Sequence, residues 1–360
     1  MSWLSTRMST YQINYFMRSS VSEASLALQR AGQELSSGRR ADMFGDLGPR
    51  AGIAITMRAR EENTQSFLDA NNVLEHKLDA MLLSVDAVRA PVEEVMQLAL
   101  LNQESAGTGA FAIQQQARSA LEAVLSSLNN SFNGEFLFSG TSSEVPAMNR
   151  WSEVNPGTGL SPEDVMAAII GTGPTDVGSA NAIVAELDQL FAGTHGTAGY
   201  NYEETFYNGT PELDGSSNPN ERIKGRLDAG QELTYGIQAN DPAFRDIIKG
   251  LAMLATVDIE QIPDPDAYKA WMQEAVQTLA SGVQGGLDAS ANIGFSQNLV
   301  EKAKERLGDL SMVQRNQIAS YENIDPYEVA TRMKGLETQL QASYSVSTRL
   351  SGLSILNWYR

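Results

Sequence analysis

His76 and His195 are the only histidines among 360 residues, and the chain has no cysteine. A HExxH zinc site needs two imidazoles one helical turn apart, and two distant histidines give no strong support to a Ser-His-Asp relay. His76 stands between Glu75 and Lys77 in a heptad-patterned stretch, where a solvated or bundle-edge role is expected; His195 lies in "GTHGTAG", a loop by composition. Without thiols there is no disulfide framework, thiolate metal site or cysteine nucleophile. The segment "VDIEQIPDPD" gathers Asp258, Glu260, Asp264 and Asp266, hard oxygen donors suited to calcium. It lacks the EF-hand glycine at the sharp turn and the glutamate at the twelfth position. The adjacent Glu203 and Glu204 could serve glycosidase chemistry only at a spacing in three dimensions that sequence does not give. "GTG" and "GTHG" lack the lysine or the GxGxxG frame of a phosphate cradle. The expectation is a non-enzyme with no catalytic residue, no cofactor and no metal, its acids forming a solvated face; cation or basic-surface binding by that face is a lesser alternative.

Charge narrows the partners. Lys and Arg number 26 against 44 Asp and Glu, a net charge of -18. Such a chain repels phosphate backbones and anionic headgroups, so neither nucleic acid nor membrane is expected as a partner. Residues 151–288 hold 6 basic and 21 acidic side chains, a local balance of -15, whereas the first forty residues carry five Arg against Glu23 and Glu34. No run approaches the ~20 apolar residues of a membrane span. The opening "MSWLSTRMSTYQINYFMRSS" lacks the apolar core of a cleavable signal, which leaves the cytosol or an export route that reads no such signal.

These residues must be positioned by elements of two kinds. From Ile53 to Ala99, a stretch without glycine, apolar residues recur in four-three steps: Ile53, Met57, then Phe67, Leu74, Leu78, Met81, Val85, Val88, Val92, Val95 and Ala99. That is a heptad seam, weakened where Arg60, Thr64 and Asn71 fall on it, and Pro91 should kink or interrupt it. Leu74, Leu78 and Val85 are the expected core of this rod. Upstream, Met17, Val21, Ala24, Leu28, Ala31 and Leu35 repeat the spacing, and Gly38 sits where a left-handed cap would end the helix. Ala117 to Phe132 gives a third stripe. Phe295 to Tyr321 reads as a further helix with Leu299, Leu307, Leu310 and Val313 on its apolar side, and Val329, Met333, Leu336 and Leu340 form a last stripe, continued less regularly by Val346, Leu350, Leu353 and Leu356.

The middle changes character. Glycine-rich punctuation and a turn at Asn208-Gly209 predict short strands, while "SPEDVMAAII", "NDPAFRDIIKGLAMLA" and "DPDAYKAWMQEAVQTLA" each place Ser or Asp before Pro, a helix start. The fold expected is mainly α, a long coiled-coil-like helical bundle of both chain ends with an inserted α+β domain: terminal assembly helices at 1–45 and 325–360, a helical rod at 46–137 and 289–324, and the insertion at 138–288. "NGEFLFSG" is the hinge into that insertion, with Phe136 and Phe138 seating it on the rod. The terminal helices are amphipathic but thin in large apolar groups, which favours use between subunits.

"LQRAGQELSSGRRA" (Leu28 to Ala41), "RAREENTQSFLDANNVLE" and "LQASYSVSTRLSGLSILNWY" (Leu340 to Tyr359) resemble the helical ends of bacterial flagellin and its hook-associated relatives. Within that family "NGEFLFSGT" is similar to the run that opens the variable domain of the hook-filament junction members. "GDLGPRAG" departs from flagellin's "DDAAG", whereas "ENIDPYEVATRM" is flagellin-like. The resemblance implies an extracellular structural subunit, exported through the flagellar type III channel without a cleavable signal peptide, that forms a homo-oligomeric ring between a hook-side junction protein and flagellin and is served by an export chaperone. The alternative it leaves open is flagellin itself. It further implies Leu28, Leu35, Leu336, Leu340, Leu350 and Leu353 as residues of the assembly seam.

Overall fold

A computed structural model describes residues 10–105 and 109–352. Its helices are α1 (Thr10–Ser37), α2 (Met43–Leu47), α3 (Ala51–Leu101), α4 (Ala110–Leu128), α5 (Pro162–Ile170), α6 (Val177–Ala192), α7 (Tyr202–Thr205), α8 (Pro242–Thr256), α9 (Pro265–Glu322) and α10 (Pro326–Gly352). Two antiparallel hairpins, β1 (Ser131–Phe132) with β2 (Glu135–Phe136) and β3 (Lys224–Arg226) with β4 (Glu232–Thr234), supply the strands. The fold is thus mainly α, with a small β-containing middle. Packing divides the chain into unit 1, residues 1–66 with 308–360, and unit 2, residues 67–307. No helix among the described residues is long and apolar enough to cross a membrane.

In unit 2 the α3 seam is buried as its spacing requires: Leu74, Leu78, Met81, Val85, Val88, Val92, Val95 and Ala99 all lie in the core. Asn71 is buried with them, its Nδ2 donating to the Leu227 carbonyl at 2.9 Å, while its Oδ1 has no hydrogen-bond partner among the described residues. Toward the start of α3 the expected stripe is displaced. Ile53 is exposed and Ala51 and Ala54 are buried instead, because a straight helix drifts by about 20° per heptad away from a strict seven-residue repeat. Pro91 does not interrupt the helix, which runs unbroken to Leu101. Residue 87, whose carbonyl loses the donor that Pro91 lacks, is exposed to water.

The larger difference concerns α9, a single helix of 58 residues where the spacing predicts two. The glycines of "SGVQGG" lie inside this helix, where they serve packing. A Cβ on Gly282 would fall 2.6 Å from Ile247 Cγ1 and 2.8 Å from the Ile247 backbone nitrogen, and one on Gly250 would fall 2.7 Å from Leu279 Cδ2. Helices α8 and α9 therefore touch backbone to backbone, and α9 runs through residue 288, where the insertion was expected to end. Leu307 is buried and Leu299 half-buried as expected, but Leu310 and Val313 are exposed.

The chain leaves α4 through the β1–β2 hairpin, whose turn is Asn133-Gly134 with φ of 52° and 86°. Both central residues are left-handed, the geometry for which Asn-Gly is selected. No strand forms at Asn208-Gly209, only an isolated bridge between Met148 and Tyr207. Phe138 is fully buried, edge-on to Phe244 with ring centroids 5.9 Å apart, and its carbonyl accepts from the Ala239 amide at 2.9 Å; Phe136 is half-buried in β2. Both phenylalanines belong to unit 2.

Gly282→Ala sets two effects against each other. Helix propensity favours alanine by about 1 kcal/mol. Overpacking against a backbone nitrogen costs about 1–3 kcal/mol. The expected outcome is a lower urea midpoint at unchanged m; a higher midpoint would show that the α8–α9 contact has slack.

Candidate functional site

The residues with chemical potential are engaged separately. Glu203 Oε1 accepts from Arg245 Nη2 at 3.0 Å, from Asn240 Nδ2 at 2.5 Å and from the Glu212 amide at 3.0 Å, while Glu204 Oε2 accepts from the Gly199 amide at 2.6 Å. The two carboxylates face different partners and form no acid/base pair. Arg245 also lies 5.4 Å from the Tyr202 ring centre, and burial raises the Tyr202 phenol far above its ordinary range, so it stays neutral. His195 stacks on Tyr200 at 5.3 Å, and exposed His76 lies 3.8 Å from Asp79. Asp258 accepts from Gln261 Nε2 at 2.6 Å and Asp264 from the Asp266 amide at 3.1 Å, and no group of metal-binding side chains converges among the described residues.

One buried cation stands in unit 2. Lys249 reaches Asp188 at 2.5 Å and Glu274 at 3.4 Å. One turn away on α8, burial raises the Asp246 carboxyl, against the attraction of Lys249 and with the repulsion of Asp188.

Unit 1 is built differently. Helices α1 and α10 pack together, and the loop after α1 is latched to the α9–α10 connection. Gly38 closes α1 with φ +72°, its amide bonded to the Glu34 carbonyl at 2.8 Å. Beyond it, Arg40 N donates to the Glu322 carbonyl at 2.9 Å and Ile324 N to the Gly38 carbonyl at 3.2 Å. Two buried carboxylates complete the latch. Glu34 accepts from Arg332 and from the Ala41 amide at 3.2 Å, and Glu322 accepts from Arg58 Nε at 2.5 Å. The bond to Glu322 raises the Arg58 guanidinium above its usual range, opposed by burial. Farther along, Glu61 on α3 takes Ser311 Oγ at 3.2 Å and Arg315 Nε at 2.7 Å from α9, so this helix contact is polar.

The apolar residues of unit 1 lie largely on its outside. Its buried hydrophobics among the described residues are Ala24, Ala31, Ala51, Ala54, Val329 and Leu340. Exposed are Tyr15, Phe16, Leu26, Phe44, Leu310, Met312, Val313, Tyr327 and Tyr344, with Phe44 at 69% and Tyr327 at 86%. These large apolar side chains are left to water and are not covered by their own unit. Of the seam leucines expected from sequence, Leu28 and Leu336 are half-buried, Leu340 is buried on the helix that packs against α1, and Leu35 is 40% exposed. Leu350's side chain and all of Leu353 lie outside the described residues. The exposed set on α9 escaped sequence reading because period alone does not say which side of a helix faces its own chain. The rod residues Leu74, Leu78 and Val85 are buried in unit 2.

Comparison with known proteins gives two kinds of match. The sequence model of the bacterial flagellin N-terminal helical region matches residues 8–143, and that of the bacterial flagellin C-terminal helical region matches residues 275–358. No curated protein matches the chain. Among solved structures, a Vibrio parahaemolyticus protein described as flagellar hook-associated aligns over 77% of this chain and 99% of its own, with TM-score 0.53 and 12% identity. Bacillus cereus FlgL aligns over 74% of this chain and 98% of its own, with TM-score 0.44 and 16% identity.

Two outcomes follow from the ionic contacts. Arg58→Met strands the Glu322 carboxylate, 5% exposed, whereas Glu322→Gln leaves a guanidinium that is 45% exposed and solvated by water. The arginine variant should lose about 1–3 kcal/mol, less than a fully buried pair because water reaches one side, and the glutamate variant under ~1 kcal/mol; hydrogen exchange at residues 38–41 and 322–324 reads the difference. For Asp246, a raised carboxyl means that the charged form is penalised in the folded state. That penalty is absent below the unfolded value and grows as pH rises through the folded one. Asp246→Asn should accordingly be slightly more stable at pH 7, by under ~1 kcal/mol, and indistinguishable near pH ~3; equal unfolding midpoints at both pH values would remove the burial argument.

Proposed function

The chain belongs to the bacterial flagellin family, whose members are structural parts of the flagellum, an extracellular appendage, and from that premise we propose that it is the hook-filament junction subunit. Copies form a ring by packing of unit 1, joining a hook-side junction protein to the first flagellin subunits. The observation that carries this reading is the polarity of unit 1, which seats ion pairs between its own helices and turns Leu310, Met312, Val313 and Phe44 outward. Burying such side chains releases about 1.5–3 kcal/mol each, enough to drive association once several are covered together. The run "NGEFLFSGT" favours the junction branch over flagellin. Leu35 and the outward residues of α9 then serve contacts between subunits, while Leu28, Leu336 and Leu340 hold the α1–α10 pair to which those contacts attach. The subunit acts by shape and burial and catalyses nothing. It leaves the cell by the flagellar export route.

Cells lacking the protein should bear hooks without filaments and lose flagellin to the medium, seen by electron microscopy and immunoblotting. Filaments that persist or merely shorten would overturn the junction role in favour of a filament subunit. A finer test uses Leu310→Glu with Val313→Glu, both exposed in the isolated chain: exported protein should keep its unfolding midpoint yet drop out of purified flagella.

A further inference from the structure

One end of unit 2 carries an apolar surface that the subunit's own packing does not use. Leu101, the last residue of α3, is 84% exposed, and Phe111, in the first turn of α4, is 62% exposed. Gly109, just before α4, stands against Asn102, just after α3, so the two helix ends are neighbours; a Cβ there would lie 2.6 Å from Asn102 Oδ1. The same corner is tied to the start of α9, Tyr268 Oη donating to the Asn102 carbonyl at 2.7 Å and Lys269 pairing with Glu104 at 2.7 Å. Gln114 Nε2, one turn after Phe111, donates to the Val257 carbonyl at 2.8 Å, which sets the start of the segment "DIEQIPDPD" against α4. That segment holds four acids and no base. Asp258 and Asp264 are engaged locally, whereas Glu260 and Asp266 have no cationic partner among the described residues. Exposed apolar side chains and acids without a cationic partner thus come from elements tied together at this corner, so its occupant should be apolar and positive.

The chain itself presents that complement in unit 1. Phe44 is exposed between Arg39 and Arg50, both exposed and without an acidic partner among the described residues. The acids nearby are already used: Asp42 accepts from the Gly45 amide at 2.9 Å, and Asp46 lies 3.9 Å from Arg40. The geometry points to a contact between copies, in which the Arg39–Phe44–Arg50 segment of one subunit docks on Leu101, Phe111, Glu260 and Asp266 of the next. Two different surfaces meet, so the contact is heterologous and adds subunits in one direction around or along an array. It rests on the assembly role proposed above and names the surfaces involved.

The cysteine-free chain allows a direct test. Cells are made to carry two full-length forms, Phe44→Cys and Phe111→Cys, and their isolated flagella are mildly oxidised and mapped by mass spectrometry. A disulfide joining residue 44 of one copy to residue 111 of another is expected. Glu260→Arg with Asp266→Arg on the Phe111→Cys form should cut its yield about tenfold or more, and Arg39→Glu with Arg50→Glu on the other form should restore it. The protein present in flagella without the 44–111 link, only 44–44 or 111–111 links, or the Phe111→Cys form linked to a different flagellar protein would each overturn the second-copy assignment. Absence of the chain from flagella would instead sink the proposed function. Oxidation of the two purified forms mixed at high concentration then decides the contact alone, a mixed link supporting it and no mixed link ending it.

Discussion

Unit 1 has very little apolar volume of its own to bury, and much of the subunit's behaviour derives from that shortage. Four of the six hydrophobic residues buried there among the described residues are alanines. Alanine permits close helix approach but removes little surface from water, so the α1–α10 pair is stabilised weakly by burial. Ionic and backbone hydrogen bonds at Glu34 and Glu322 fix geometry in its place. Such bonds specify which segments meet and leave large side chains free to point elsewhere. A subunit that must be built into a larger structure needs that arrangement, because apolar groups satisfied internally cannot drive association.

Much of the helical architecture was legible because burial and period coincide in α3 from Leu74 to Ala99, and because Gly38 is placed where only a left-handed residue can end α1. The illegible parts depend on a second element that the local pattern does not contain, or on drift accumulated along a long helix. The close-packing role of Gly282 shows only once Ile247 is seen pressed against it. Ile53 reads as core until helical drift turns Ala54 inward. Leu310 and Val313 keep the right period and face away from their own chain. The hairpin at Asn133-Gly134 carried a short-range signal in its own dipeptide, but two-residue strands are too short to show alternation. For the candidate surface, composition identified the termini as thin in large apolar groups, and only packing could say which of those groups remain outside.

The acidic middle shows how one residue type serves two ends. Its charge of -15 is spread through unit 2, yet individual acids are fastened to backbone. Asp164 and Ser161 form a reciprocal cap on α5, and hydrogen bonds from Ser161 hold the Asp164 carboxyl below its ordinary range. Asp214 is lowered by the Asn218 and Ser216 amides of an exposed loop. Carboxylates thus start helices and close turns while supplying the repulsion that keeps such a chain from collapsing onto its neighbours before assembly.

The contrast between an alanine-lined unit and an aromatic-filled one also has a thermal side. Trp271, Tyr202, Phe138, Phe206 and Phe244 are fully buried in unit 2, so its unfolding hydrates much apolar surface and carries a large heat-capacity change. Opening of unit 1 exposes little that water does not already touch. Its local stability should follow a nearly straight line with temperature, while that of unit 2 bends over a maximum. Cooling therefore weakens the aromatic-filled unit sooner than it weakens the alanine-lined one.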